Sequence, residues 1–278
     1  MVKDPRAVEG RFRRALASGR YDDAVAAIES ERLCTEGEQS LVWKLEDPEG
    51  RVAPEDRIDV RNASSLGEAL YELGVALWAQ SGYEMVAVDV FSAAVAEGST
   101  RAIRTLGESL HWFGFSERAL PWIRAAAEDP QNDHAWMMGL LGEALVATGG
   151  DQQEAASCLT IGADAYREFG VPLAKLLVQQ SHWDSAQRLL EALVEEQVYG
   201  AALLLGNLMQ DHFHDYSRAE GAYRSGINSK DAFSAYNLGL LYWSQGRSTD
   251  AAEAFALARN MGDFTDPPAE VPNTGTQR

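Results

Sequence analysis

Cysteine is scarce in this chain. Only Cys34 and Cys158 occur in 278 residues, far apart and with no C-x-x-C pair, which excludes a disulfide framework. Lysine is scarce too: Lys3, Lys44, Lys175 and Lys230 are the whole set, so arginine carries most of the positive charge. Basic residues number 24 against 42 acidic ones, for a formal net charge of -18. Such a surface repels phosphate and disfavours nucleic acid as a main partner. It suits solubility, and it suits a basic partner. Long apolar runs are also missing. Stretches such as AALLLG (201–206) are too short to span a bilayer, and MVKDPRAVEG at the start lacks the apolar run of a signal peptide. The expectation is a cytoplasmic protein with reduced thiols and no membrane insertion.

Catalytic signatures are missing as well. There is no G-x-x-x-x-G-K-S/T, no G-x-G-x-x-G, no H-E-x-x-H and no G-x-S-x-G. The nearest approach to a metal set is DHFHD, with Asp211, His212, His214 and Asp215. It falls in a turn between two helices, where a solvated polar turn is the expectation. His134 and His182 are solitary and near turns, and Asp22-Asp23 and Glu195-Glu196 read as solvated helix faces. No catalytic residue, metal or cofactor is expected, and the chain reads as a non-enzyme.

What is present is a repeat. Leu-Gly occurs at Leu73-Gly74, Leu106-Gly107, Leu141-Gly142, Leu205-Gly206 and Leu238-Gly239, with Leu173-Ala174 where a sixth copy is due. The steps between the small residues are 33, 35, 32, 32 and 33 residues. Twelve or thirteen residues after each comes alanine: Ala87, Ala119, Ala155, Ala186, Ala219 and Ala251. Four further on stands a large apolar residue: Phe91, Ile123, Leu159, Leu190, Tyr223 or Phe255. Another small residue follows at Ala94, Ala126, Gly162, Gly226 and Ala258, with Leu193 as the exception. Spacings of three, four and seven put each set on one helical face, so the unit is an antiparallel helix pair. A helix-interior glycine costs about 1 kcal/mol relative to alanine. Close packing offsets that cost, with the glycine expected to face the alanine of the second helix.

These residues resemble the tetratricopeptide repeat, and FSAAVAEGSTRAIRTLGESL (91–110) and AFALARNMGD (254–263) resemble the related Sel1-like repeat. The resemblance implies an all-α helix-turn-helix repeat solenoid, a right-handed superhelix of about six repeats. It covers 66–263. The repeat at 166–198 departs most, with Gly170, Pro172 and Ala174 in its first helix, so a bent or shortened helix is expected there. Residues 1–33 read as an N-terminal helix pair. Residues 34–65 break the period as an irregular insertion or linker, which can pack through Val42, Trp43 and Leu45. Residues 264–278 are polar and proline-rich, and disorder is expected.

In the tetratricopeptide family the first helices line a concave groove. The resemblance places Tyr71, Val75, Trp78, Arg104, Glu108, His111, Glu143, Lys175, Val178, Asn207, Gln210, Tyr236, Leu240 and Trp243 there, with Trp136 and Phe233 extending the row. Aromatics mixed with polar groups suit a protein or peptide. Asn207 and Asn237 also match two positions of the family's carboxylate clamp. That clamp needs lysine where Leu203 stands, so no clamp is expected. The expected function is a non-enzymatic interaction scaffold whose partner carries apolar and basic residues. The alternative is a regulatory or sensory module taking a small molecule or signal peptide.

Overall fold

The computed structural model describes residues 66–79, 84–263 and 265–268, together with Arg14 and Asp23. The expectations for 1–33 and 34–65, and most of 264–278, therefore lie outside the described residues. The chain divides into two compact units, Met1–Asn132 and Asp133–Arg278.

Among the described residues there are twelve α-helices and no strand. The first unit holds α1 (Leu66–Trp78), α2 (Glu84–Ala96), α3 (Thr100–Trp112) and α4 (Ser116–Glu128). The second holds α5 (His134–Thr148), α6 (Gln152–Ala165), α7 (Gly170–Gln179) and α8 (Trp183–Glu195). It continues with α9 (Ala201–Asp211), α10 (Tyr216–Asn228), α11 (Ala232–Ser244) and α12 (Ser248–Asn260). Each odd-numbered helix packs most extensively on the helix that follows it, as a two-helix repeat requires.

The periodic residues form the core. All six alanines and all six large residues four positions later are buried. The glycines, however, do not face those alanines alone. A Cβ built on Gly74, Gly206 or Gly239 would run into the ring of Phe91, Tyr223 or Phe255 respectively. Gly107 and Gly142 instead lie against the second helix's backbone as well as a side chain, near the amides of Ile123 and Leu159. At Gly142 the carbonyl of Ala155 is also 3.0 Å from a built Cβ. The expected glycine–alanine contact is thus met at Gly142, while at the other four glycines the atoms nearest a built Cβ belong chiefly to the large residue. Where that residue is aromatic, the ring fills the space. Where it is aliphatic, the backbones come closer.

The departing repeat is shortened as expected. A 3-10 turn at Arg167–Phe169 leads into α7, which has 10 residues. Pro172 falls in the first turn of α7, where its missing N–H leaves no intrahelical bond unmade.

Several links between helices need a left-handed residue. Gly200 and Gly246 supply it with φ of 82° and 74°. Ser181, Gln197, His214 and Lys230 adopt the same region, at φ 62°, 59°, 54° and 62°. A side chain there costs about 1 kcal/mol. Gln197→Gly and Lys230→Gly are each expected to raise stability by roughly 0.5–1 kcal/mol. Urea unfolding checks this, and a loss of stability in both would contradict the strain.

Candidate functional site

In the first unit, most of the residues that the resemblance places in a groove, on α1 and α3, are already engaged. Tyr71 lies 5.9 Å from Phe91 and under the Arg101 guanidinium, 4.3 Å from the ring centroid. Arg101 also pairs with Glu68 and Glu72 at 3.1 and 2.8 Å. Trp78 meets Phe113 edge-on at 5.7 Å. Arg104 pairs with Glu108 at 2.9 Å, and His111 Nδ1 lies 3.1 Å from Ser116 Oγ. Val75 is exposed. Sequence reasoning passed over Trp112 as a binding residue, yet it is 81% exposed. Its position one residue past the small-residue register of His111 and Trp78 is the only signal, and that register pointed elsewhere.

In the second unit, Trp136 belongs to an aromatic cluster. It meets Tyr166 at 5.3 Å and Phe169 at 5.2 Å, and the Tyr166 hydroxyl donates to Asp133, the cap of α5. Glu143 is half-buried on α5, and Lys175 is exposed on α7. Asn207 Oδ1 accepts from Asn237 Nδ2 at 2.9 Å and from the Tyr223 hydroxyl at 2.8 Å. The same hydroxyl lies 3.2 Å from Gln210 Oε1. Burial, and then the charge of Asp211, push Tyr223 well above the usual tyrosine value, so it stays a donor. The two asparagines thus tie α9 to α11.

Helix α11 carries the most coherent surface. Phe233, Tyr236, Leu240 and Trp243 are spaced by three, four and three residues, which aligns them along one stripe. Phe233 is 57% exposed, and the other three are half-buried against the core. Tyr236 meets Phe255 at 5.2 Å, and its hydroxyl donates to the carbonyl of Asp266 at 3.2 Å. Tyr199, 68% exposed, stands seven residues before Gly206, much as Phe233 stands six before Gly239. It was missed because the register shifts by one.

The opposite face of α11, with Leu238 and Tyr242, floors an open cavity of about 450 Å³ between α10 and α12. Ile227, Leu257, Arg224 and Arg247 line it. Glu220 Oε1 accepts from the Tyr242 hydroxyl at 2.9 Å, and Arg224 pairs with the same carboxylate at 2.9 Å. Arg247 pairs with Glu220 at 3.1 Å and lies over the Tyr242 ring at 3.9 Å. Desolvation pushes the Glu220 carboxyl up, but the hydrogen bonds from Tyr242, Arg247 and Arg224 outweigh it and hold the group below its ordinary value. A carboxylate so depressed stabilises the fold above its unfolded pKa, and that stabilisation is lost as pH falls through the folded one. Glu220→Gln is therefore expected to be less stable than wild type at pH 7, with the gap closing towards about pH 3. Urea unfolding at both values checks it; a gap that widens in acid would contradict the assignment.

The DHFHD residues are used locally. His212 stacks on Trp183 at 4.0 Å, His214 Nδ1 lies 3.2 Å from the Gln210 carbonyl, and Asp215 caps α10 by accepting from the Arg218 amide. Among the described residues no group of three or more His, Cys, Asp or Glu side chains could hold a metal ion, and no helix is long and apolar enough to cross a membrane.

No family model and no curated protein matches the chain. Solved structures do. A tetratricopeptide repeat protein from Parabacteroides merdae is similar at 13% identity and a TM-score of 0.55, over 94% of this chain and 94% of that one. The Cut9-Hcn1 hetero-tetramer of APC/C is similar at 14% identity and a TM-score of 0.58, over 93% of this chain and 51% of the other. A monomeric mutant of IFIT1 with Gppp-AAAA is similar at 14% identity and a TM-score of 0.51, over 94% and 75%. Identities this low speak for architecture and not for ligands. Together with helix pairs repeating every 32 to 35 residues around a small-on-large seam, they establish that the chain has the tetratricopeptide-repeat fold.

Proposed function

We propose that the protein is a non-enzymatic scaffold that binds a protein or peptide segment along the first helices of its repeats. The observation that carries this reading is the stripe of Phe233, Tyr236, Leu240 and Trp243 on α11, three aromatic rings on one helix face. Rings of this kind present large apolar area and order few rotamers on binding, which is why they dominate interface energetics. Asn207 and Gln210 on the neighbouring α9 add polar groups beside them. In the first unit, Tyr71, Trp78, Arg104, Glu108 and His111 are the corresponding groups. The net charge of -18 favours a partner that sets basic residues beside its apolar anchors. It disfavours a phosphate-rich ligand such as the Gppp-AAAA found with IFIT1. A cytoplasmic setting accords with this reading.

The test is affinity capture on the full chain, followed by titration of the captured partner. Phe233→Ala and Trp243→Ala are each expected to weaken binding by about 2 kcal/mol or more. Glu108→Gln should cost less, within about 0–1 kcal/mol, and should flatten the salt dependence. If both aromatic variants bind like wild type while Leu257→Ala abolishes binding, the interface lies on the second helices and this reading fails.

A further inference from the structure

The chain itself returns to the α11 stripe at Tyr236. Asp263 follows α12 at the place where Asp231 precedes α11, 32 residues earlier. Both make the same cap. Asp231 Oδ1 accepts from the Phe233 amide at 3.1 Å, and Asp263 Oδ1 accepts from the Thr265 amide at 2.9 Å. A helix follows the first, and among the described residues none follows the second. Pro267 and Pro268 lack the N–H groups that a helix starting here would bond to the carbonyls of residues 263 and 264. Each proline also holds the residue before it extended. The segment turns back instead. The Tyr236 hydroxyl donates to the Asp266 carbonyl at 3.2 Å, Arg259 stands 3.9 Å from the Asp266 carboxylate, and both prolines are half-buried.

We propose that residues 265–268 are an intramolecular ligand of the α11 stripe. The partner segment that displaces them is likewise extended and proline-bearing, with basic residues where this chain has Asp266 and Glu270. The inference rests on the stripe being the binding surface. The contact made in cis indicates the chemistry of the ligand. Tyr236 reads a backbone carbonyl, which any extended segment offers, and proline keeps that segment extended before it binds, which lowers its ordering cost. The seat is built to be left. Asp231 receives a second bond from Ser234 Oγ at 2.6 Å, whereas among the described residues no donor reaches the equivalent Asp263 Oδ2. The described contacts thus hold this cap less firmly than its counterpart. The docked segment is also acidic, on a chain of net charge -18, and the 3.9 Å pair between Arg259 and the almost fully exposed Asp266 carboxylate offsets little of that, so tethering chiefly holds it there. A basic segment is free of that repulsion and competes in trans.

The experiment uses labelled peptides and fluorescence anisotropy on the full chain. One peptide is TDPPAEVP, residues 265–272, and the other carries lysine at both acidic positions. Each is titrated with wild type and with P267S/P268S. The basic peptide should bind P267S/P268S about tenfold more tightly than wild type. It should bind either protein more tightly than the acidic peptide does, with the difference shrinking in salt. Tyr236→Phe, a conservative change, and Phe233→Ser, at an exposed position, should each lower binding to the released chain by about fivefold or more. Equal affinity for wild type and P267S/P268S, no binding to either, or indifference to Phe233 would overturn the proposal. A captured partner that depends on Phe233 and Trp243 but ignores P267S/P268S would uphold the stripe and overturn the intramolecular ligand. A partner indifferent to all of them would overturn both.

Discussion

Leucine in place of Gly206 is expected to lower the unfolding free energy by about 3 kcal/mol. A single added Cβ would already sit well under 3 Å from the Tyr223 ring. The ring cannot swing aside cheaply. It is almost fully buried, and its hydroxyl is held by Asn207 and Gln210. Moving it strands a buried donor and loosens the tie from α9 to α11, so overpacking and a lost hydrogen bond add together. Gly239→Leu offers a comparison. There the built Cβ is 2.7 Å from Phe255, a ring with no hydroxyl to lose and with slight exposure. Its cost should be smaller, about 1–2 kcal/mol. Urea unfolding of the two variants gives the order. If Gly239→Leu proves the costlier, or if neither loses stability, rings resting on glycine do not set the helix spacing.

Leu193→Ala should cost about 3 kcal/mol on its own, and Gly170→Ala should restore part of that loss. Leu193 is the one large residue at a position that is small in every other repeat. A Cβ on Gly170 would lie 2.8 Å from Leu193 Cδ2, so the glycine of α7 accommodates the leucine of α8. Truncating Leu193 opens a buried cavity. The added methyl at Gly170 then fills some of it and gains roughly 0.4–1 kcal/mol by restricting the unfolded chain. In the wild-type background the same methyl crowds Leu193, and most of that gain is cancelled. The double-mutant cycle should therefore show a coupling of about 1 kcal/mol or more. Additivity within about 0.5 kcal/mol would mean that the two residues are independent departures from the repeat.

These two sites show what a single sequence makes legible here. Leucine–glycine pairs at near-constant steps define helix faces, because a face depends only on spacing. The helix pairs and the buried alanines followed from that, and the shortened helix followed from Gly170 and Pro172. Depth across the interface does not follow from spacing. Which residue meets each glycine depends on ring size, so Phe91, Tyr223 and Phe255 behave unlike Ile123 and Leu159. The same limit applies to the candidate site. The aromatic stripe on α11 was legible as residues on one face. The engagement of Trp136 with Tyr166 and Phe169, and the exposure of Trp112 and Tyr199, depend on neighbours brought in by the turns. The turn back at Asp266 required knowing where two prolines fall relative to an aspartate cap, 32 residues beyond its counterpart.

Among the described residues helix α12 packs chiefly on α11, whereas the inner helices of the second unit have neighbours both before and after them. In an array held by nearest-neighbour contacts, a pair with described neighbours on one side only opens at lower free energy than one flanked on both. Amide exchange should therefore run fastest in α11–α12 and slow towards α7–α10. The candidate binding stripe thus sits on a repeat that opens more readily than those inside it. A ligand present at about 100 times its Kd adds roughly 2.7 kcal/mol to any opening that destroys its site. That increment would fall on the opening of α11–α12 and leave α5–α6 exchanging as before. Partner binding would thus be read as a local slowing of exchange in α11–α12, and any process that begins by opening that pair, proteolysis included, would be governed by whether the stripe is occupied.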